Sequence, residues 1–329
     1  MGALELFLAA EGWGDAARAP LAGDASARRY ERLTRGRETA VLMIAPPGEE
    51  FKRFLRVDAW LLAQGFSAPQ VLAAAPEAGL MLLEDFGDAV LARLMAHQPE
   101  DQPALYGAIT DFLIALHACP APDFVAPLNG PALADLVGLV PQWYPCADPA
   151  AAADLAPLIA ALHAKTEPFS PVMCLRDFHA ENVIWLPDRA GPARLGLLDF
   201  QDAVAADPAY DLVSALQDAR RDVPEAIERQ ERARYAALRG FDPEGFGASY
   251  ALLGAQRALR ILAIFARLCL AGGKPHYLAL MPRVWGYLQR NLAAPSLAPL
   301  RHAVAAALVP PSPELLARME RECGQHPMR

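Results

Sequence analysis

Two polar clusters on either side of a pair of short apolar runs place the strongest constraint on the fold of this 329-residue chain. The first cluster contains Asp177 and Asn182, five residues apart, and the second begins at Asp199, seventeen residues after Asn182. The runs between them, residues 182–186 and 195–198, lie around a Pro-Asp turn, which is typical of two short strands. The spacing therefore predicts a polar loop, a strand, a turn, a second strand and a second polar loop.

The side chains of these clusters are those that phosphoryl transfer requires. That reaction needs a carboxylate near the attacking hydroxyl, and an amide oxygen and a second carboxylate that hold Mg²⁺ against the phosphate oxygens. We therefore predict that Asp177 is the catalytic residue and that Asn182 and Asp199 are the metal ligands. The pattern resembles the catalytic and metal loops of protein-kinase-like folds. Leu175 in place of the usual histidine, and Gln201 in place of the usual glycine, make it more similar to the aminoglycoside phosphotransferase and sugar kinase branch.

The secondary-structure pattern changes near residue 85. Beyond it most of the chain has helical periodicity, whereas the part before it predicts a β-hairpin, a helix and a second strand pair, at residues 26–33 with 39–45, 50–64, and 71–75 with 80–83. The sequence thus predicts an α+β, protein-kinase-like two-lobed fold. Residues 1–85 would form a small β-rich N-lobe that binds the nucleotide. Residues 86–329 would form a larger helical C-lobe with the catalytic loop, the metal loop and the substrate site.

A second Asp-Phe-Gly triplet occurs at residues 85–87, but it cannot be the metal loop of this pattern. The metal triplet must follow the catalytic loop, and residues 85–87 precede it by about ninety positions. We interpret this segment as the hinge between the lobes, where Gly87 allows a tight turn. Backbone groups of the hinge would hydrogen-bond an adenine edge, with Leu83, Glu84 and Phe86 as the nucleotide contacts.

A turn of small residues opens the first predicted hairpin strand. Backbone N–H groups of such a turn can approach phosphate, and adjacent arginines add positive charge. The predicted nucleotide contacts here are Gly23, Asp24, Ser26, Arg28 and Arg29. The second hairpin strand has no lysine where kinases place their phosphate-pairing lysine, and the only lysine before residue 85 is Lys52. Either an arginine of the turn replaces it, or Lys52 reaches back.

Further motifs make the resemblance more specific. The chain is similar to the bacterial anomeric sugar kinases of the aminoglycoside phosphotransferase-like superfamily, which act on N-acetylmuramate and N-acetylglucosamine in cell-wall recycling. The similarity extends over about residues 20–292 and is carried by residues 23–26, 28–30, 82–88, 141–144, 198–203, 210–211, 256–257, 264–268 and 273–275.

This resemblance implies ATP and Mg²⁺ as cofactors and phosphorylation of the anomeric hydroxyl of such a sugar. It also implies that the aromatic pair Trp143 and Tyr144 stacks on the sugar. We assign three further substrate contacts at the catalytic and metal loops, His179, Gln201 and Asp202. Asp211, just after the metal loop, is expected to support the catalytic-loop backbone or to be an ordinary carboxylate at a helix start.

Composition excludes several other classes of protein. A net charge of −8 argues against a nucleic-acid-coating protein, which needs a basic face. The longest apolar stretch, residues 254–272, contains three arginines and predicts a buried helix, not a membrane span. The first eleven residues lack the basic leader of a secretory signal. Five cysteines without a CxxC pair predict free thiols in a reducing cytoplasm. We expect a small-molecule sugar as the binding partner and no obligate protein partner.

Two alternatives remain open at the level of sequence. The acceptor could be another small alcohol, such as choline, homoserine or an aminoglycoside. Because the usual lysine is missing, the chain could also be a nucleotide-binding pseudokinase that acts as a scaffold without turnover.

Overall fold

The computed structural model describes residues 2–21, 28–166 and 169–327. The predicted nucleotide contacts Gly23, Asp24 and Ser26 lie outside the described residues. By packing, the chain divides into two compact units. Unit 1 extends to Phe112 and also contains Asp177–Ala203, and unit 2 contains Leu113–Arg176 and Val204–Arg329. The boundary predicted after residue 85 follows the change in secondary structure, whereas this division also assigns Asp177, Asn182 and Asp199 to the first unit.

Unit 1 is built on an antiparallel five-stranded sheet with the strand order β1-β2-β3-β5-β4. The strands are β1 (Ala17–Pro20), β2 (Arg29–Arg35), β3 (Glu38–Ile44), β4 (Val71–Ala75) and β5 (Leu80–Glu84). Alternate apolar residues of β2 and β3 are buried with residues of the first helix, because successive side chains of a strand point to opposite faces. The helices that begin in this unit are α1 (Ala3–Ala10), α2 (Glu49–Ala63), α3 (Leu91–His97) and α4 (Gln102–Leu116), of which α4 continues into unit 2.

A separate hairpin in unit 1 follows the loop that contains Asp177 and Asn182. It consists of two short antiparallel strands, numbered in chain order β8 (Val183–Trp185) and β9 (Leu195–Leu197). Both strands are almost entirely buried, which explains why their sequence shows continuous apolar runs and no alternation. The predicted α+β fold class is confirmed.

Unit 2 is mostly helical. Its helices are α5 (Gly130–Val137), α6 (Val140–Trp143), α7 (Pro149–Ala153), α8 (Leu155–His163), α9 (Ala209–Leu216), α10 (Glu225–Arg239), α11 (Pro243–Leu270), α12 (Met281–Leu292), α13 (Ala298–Ala307) and α14 (Pro313–Arg321). A small sheet of the order β6-β10-β7 joins β6 (Ala126–Pro127), β7 (Val172–Cys174) and β10 (Val204–Ala206).

The 28-residue helix α11 forms the centre of unit 2. The Asp242 side chain caps its first turn by accepting a hydrogen bond from the Gly245 N–H. Most residues of α11 are buried, including Arg257, as the sequence predicted for a buried helix with a polar edge. No helix among the described residues is long and apolar enough to cross a membrane. All five cysteines are free thiols.

Two glycines in the turns of the main sheet allow a direct test of its packing. Gly79 has φ +68°, and a Cβ there would lie 1.9 Å from the Ala45 carbonyl oxygen. Gly36, in the β2–β3 turn, has φ +60° but no atom within 4 Å of such a Cβ. We expect Gly36→Ala to lower the free energy of unfolding by about 1 kcal/mol, the cost of a left-handed backbone alone. Gly79→Ala should cost about 3 kcal/mol or more, because overpacking adds to that strain. Urea denaturation measures both, and equal losses would contradict the close approach of Ala45.

Candidate active site

Asp177, Asn182 and Asp199 come together at one end of the β8–β9 hairpin. The pairing of Val183 with Leu197 continues into the loop, where the Leu198 N–H donates to the Asn182 carbonyl oxygen at 2.9 Å. Asn182 therefore lies opposite Leu198 and next to Asp199. The Asn182 side chain donates from Nδ2 to the Asp177 carbonyl oxygen at 2.9 Å. This bond fixes the amide so that its Oδ1 atom points away from the Asp177 carbonyl.

An aromatic residue follows each of the two carboxylates and anchors its loop. Phe178 is 2% exposed and stacks on Phe112 with a centroid distance of 5.2 Å. Phe200 is fully buried and packs on Phe54 of α2 at 4.9 Å. Buried aromatic side chains contribute large apolar areas, so each loop is held by the residue next to the carboxylate that the sequence predicts to be functional. Asp177 and Asp199 themselves remain partly exposed.

Both loops contain a strained backbone. Among the described residues, Arg176 and Asp199 are the two non-glycine residues with positive φ, at +75° and +56°. A left-handed conformation costs a non-glycine residue on the order of 1–3 kcal/mol, and such residues cluster at functional sites. One of them is the predicted metal ligand, and the other directly precedes the predicted catalytic residue.

Asp211 holds the backbone that leads into the catalytic loop. Its carboxylate, on α9, accepts hydrogen bonds from the N–H groups of Leu175 at 2.5 Å and of Arg176 at 2.9 Å. This geometry corresponds to the predicted support role. The side chains of His117 and Cys174 come within 4.8 Å of this carboxylate and of each other. Since both Asp211 oxygens already accept backbone N–H groups, the arrangement fits a structural role better than a metal site.

Arg28 connects the start of β2 to the loop that contains Asp199 and Gln201. Its guanidinium donates to Asp199 Oδ1 at 2.8 Å and to Gln201 Oε1 at 2.6 Å, and it pairs with Glu50 at 3.4 Å. Burial lowers the pKa of Arg28, but the neighbouring groups Tyr30, Asp199 and Glu50 raise it more, so that the net pKa is above its ordinary value. The sequence could not choose between the two arginines, whereas in the structure Arg28 is the one directed to Asp199.

The other candidate cations are placed differently. Arg29 is exposed, as expected for a strand neighbour that points to the opposite face. Lys52 lies on the exposed side of α2, where it pairs with Glu49 at 3.3 Å and retains 56% of its side-chain exposure.

Gln201 and Asp202 occupy different environments. Gln201 is 3% exposed, and its Nε2 donates to Asp199 Oδ1 at 3.0 Å while its Oε1 accepts from Arg28. These bonds orient the Asp199 carboxylate, and both the nitrogen and the oxygen of the Gln201 amide are hydrogen-bonded. The Asp202 side chain is 38% exposed and pairs with Arg53 at 3.5 Å. Contact of either residue with a sugar stays a prediction, and the exposure favours Asp202.

The segment after β5 has the contacts of a structural turn. The Asp85 side chain is 6% exposed and pairs with Arg32 at 2.7 Å. Its Oδ1 also accepts the Gly87 N–H at 3.0 Å, and Gly87 has φ +78°. An aspartate with these partners closes a turn, and the assignment of this segment to a hinge stays a prediction. Leu83 is buried in the sheet, and Glu84 and Phe86 are partly exposed beyond it.

The sequence analysis did not identify Arg189, which organises this turn. Its guanidinium donates to Ser67 Oγ at 2.7 Å and to Glu84 Oε1, and it lies over the Phe86 ring at 5.2 Å. Arg189 comes from the β8–β9 turn, 105 positions from Glu84. No local motif marks such a contact, because its partners meet only in the folded chain.

The aromatic pair of the predicted sugar site lies at the end of α6. Tyr144 is 3% exposed, stacks on Trp285 at 6.4 Å and donates from its hydroxyl to the Val309 carbonyl oxygen at 2.7 Å. These contacts give Tyr144 a packing role within unit 2. Trp143 is partly exposed, as is His179 in the catalytic loop of unit 1. Sugar contacts by these residues stay predictions.

Comparisons with known proteins agree with this geometry. The sequence profile of the phosphotransferase enzyme family matches residues 18–248. N-acetylmuramate/N-acetylglucosamine kinase of Caulobacter vibrioides is 43% identical over 338 residues, covering 90% of this chain and 93% of that protein.

Solved structures of low identity share the fold. A choline/ethanolamine kinase family protein from Mesorhizobium loti has a TM-score of 0.63 at 17% identity, covering 92% of this chain and 97% of that one. Aminoglycoside phosphotransferase APH(3'')-Id from Streptomyces rimosus, in complex with ADP and streptomycin, has a TM-score of 0.53 at 22% identity, covering 79% and 99%. The resemblance drawn from the motifs is thus confirmed, and the chain belongs to the phosphotransferase enzyme family.

Proposed function

We propose that this phosphotransferase uses ATP to phosphorylate the anomeric hydroxyl of N-acetylmuramate or N-acetylglucosamine. The observation that carries the proposal is the convergence of Asp177, Asn182 and Asp199 at one hairpin end, in a chain 43% identical over most of its length to a kinase named for these sugars. The use of ATP, together with five free thiols, supports a cytoplasmic location.

Asp177 is proposed as the residue that orients the acceptor hydroxyl and accepts its proton. A hemiacetal hydroxyl is more acidic than an ordinary alcohol, so a carboxylate of ordinary basicity is sufficient as a base. Phe178 and the Asn182 amide restrict the Asp177 backbone from the C-terminal side. Such preorganisation lowers the entropic cost of bringing the hydroxyl into line with the γ-phosphate.

Asn182 and Asp199 fit a site for Mg²⁺. A carboxylate and an amide oxygen are hard oxygen ligands of the kind that Mg²⁺ binds together with substrate phosphates. The Nδ2 atom of Asn182 donates a hydrogen bond to the Asp177 carbonyl oxygen, so the Oδ1 atom of Asn182 is left for a cation. When bound, Mg²⁺ neutralises charge on the transferring phosphate oxygens. Arg28, already beside Asp199, is proposed to contact the same phosphates.

The two Asp-Phe segments allow a test of the metal assignment. Asp199→Ala should abolish the Mg²⁺-dependent part of ATP binding, because it removes a ligand. Asp85→Ala should leave that dependence intact, because Asp85 pairs with Arg32 and the Gly87 N–H. Titration calorimetry with ATP, with and without Mg²⁺, measures the difference. If the two variants exchanged these phenotypes, the hinge and the metal loop would have to be exchanged as well.

Three single variants test which cation replaces the usual lysine. Arg28→Ala should raise the KM for ATP on the order of ten-fold or more, since a guanidinium can make two charge-assisted bonds to phosphate. Arg29→Ala and Lys52→Ala serve as matched controls, because both side chains lie on exposed surfaces. Steady-state kinetics at saturating acceptor give the three values. A larger effect from Lys52 than from Arg28 would overturn the assignment and leave the kinase proposal standing.

The acceptor and the position of phosphorylation can be tested together. A coupled ADP-release screen over N-acetylated sugars, choline, homoserine and aminoglycosides should show the highest kcat/KM with N-acetylmuramate or N-acetylglucosamine. The product should release inorganic phosphate in warm dilute acid, because a phosphate on C1 leaves by an oxocarbenium-like path and a phosphate on C6 does not. An acid-stable sugar phosphate would refute anomeric transfer.

Asp177→Asn provides the control for that screen. It should retain ATP binding but lower turnover on the order of 10² or more. ATP binding by the wild type with no turnover on any acceptor would instead support a scaffold role.

A further inference from the structure

Arg257 is a buried arginine that the catalytic and nucleotide assignments do not use. It lies on α11 in unit 2 and is 8% exposed. A buried guanidinium is costly unless its donors are satisfied, so the identity of its partners is informative. They are the Arg176 carbonyl oxygen at 3.0 Å, the Ser214 hydroxyl oxygen at 2.5 Å and the face of the Tyr210 ring at 4.9 Å.

The carbonyl that Arg257 holds belongs to the peptide bond joining Arg176 to Asp177. The preceding peptide, between Leu175 and Arg176, is held at its N–H by the Asp211 carboxylate. Arg176 between them has the left-handed φ of +75°. A charged side chain therefore fixes the peptide plane on each side of this strained residue. The Asp211 carboxylate accepts from the N–H of Arg176, and the Arg257 guanidinium donates to its carbonyl oxygen.

The two charged groups are also linked to each other through helix α9. Tyr210, Asp211 and Ser214 all lie on α9, and Asp211 and Ser214 are three residues apart, which places them on the same face. Ser214 and Tyr210 are fixed by burial, at 1% and 0% exposure. They hold the Arg257 guanidinium in one orientation, so its NH1 group has a defined direction toward the Arg176 carbonyl.

We infer that Arg257 is a positioning residue for the phosphoryl transfer: by holding the Arg176–Asp177 peptide it sets the direction from which the Asp177 carboxylate meets the acceptor hydroxyl. Without this bond the 176–177 peptide can rotate and the Asp177 carboxylate is displaced, while Asp199 keeps its hydrogen bonds with Arg28 and Gln201. The inference rests on the proposed catalytic role of Asp177, but not on the identity of the sugar.

The test compares two arginines of the same helix. Arg257→Met should lower kcat about 10- to 100-fold, as a displacement of about 1 Å can do, with the Kd for ATP unchanged within about two-fold. Arg257→Lys, which keeps one charged donor, should recover much of that kcat. Arg267→Met, a partly exposed position on α11, is the matched control and should retain the wild-type kcat. Wild-type kcat in Arg257→Met would overturn the inference.

A double-mutant cycle separates positioning from simple destabilisation. If Arg257 acts through Asp177, Arg257→Met should cause little further loss of kcat in an Asp177→Asn background. If it only stabilises the fold, the losses should multiply and follow the melting temperature, which would overturn the inference. Should Arg257→Met fail to fold, the same cycle is run with Ser214→Ala, which removes the side-chain acceptor that orients the Arg257 guanidinium. Any accepted alcohol can serve as substrate, so a failure of the N-acetyl-sugar proposal is distinguishable from a failure of this one.

Discussion

The structure depends on the way in which a buried aromatic residue anchors each partly exposed carboxylate. Asp177 is followed by Phe178, which stacks on Phe112, and Asp199 is followed by Phe200, which packs on Phe54. Burying each ring provides on the order of 2 kcal/mol of transfer free energy, which can offset the left-handed backbone at the neighbouring Arg176 and Asp199. The two rings therefore hold their loops in place and leave Asp177 and Asp199 partly exposed.

Hydrogen bonds between loops then set the positions of these groups relative to each other. The Asn182 amide bonds the Asp177 carbonyl, and the Leu198 N–H bonds the Asn182 carbonyl. These bonds tie the Asn182 side chain to the Asp177 backbone, and the residue before Asp199 to the Asn182 backbone, so the two loops are held to each other. Arg28 and Gln201 extend the same network to the Asp199 carboxylate by direct side-chain bonds.

Arginines form most of the long-range polar contacts described above, because the chain has only three lysines among its 30 basic residues. Arg28, Arg189 and Arg257 each bind two or more oxygen atoms at defined angles. A planar guanidinium can bridge two acceptors in fixed geometry, whereas an ammonium group is a point charge on a flexible stem. This difference is consistent with a phosphotransferase that lacks the usual lysine on its third strand.

Spacing and order along the chain predicted the fold class and the hairpin between the two polar clusters, and the structure contains both. The assignment of residues 85–87 to a hinge stays a prediction. The sequence also indicated Asp211 as a support, but left its ordinary helix-start role open. Packing brings Arg28, and not Arg29, to Asp199, and it places Tyr144 against Trp285. It also brings Arg189 to Ser67 and Glu84, and Arg257 to the Arg176 carbonyl oxygen. The physical reason is sequence distance: Arg28 and Asp199 are 171 positions apart, and Arg257 and Arg176 are 81 apart. Local periodicity specifies which residues form a strand or helix, but contacts over such distances depend on how the elements pack.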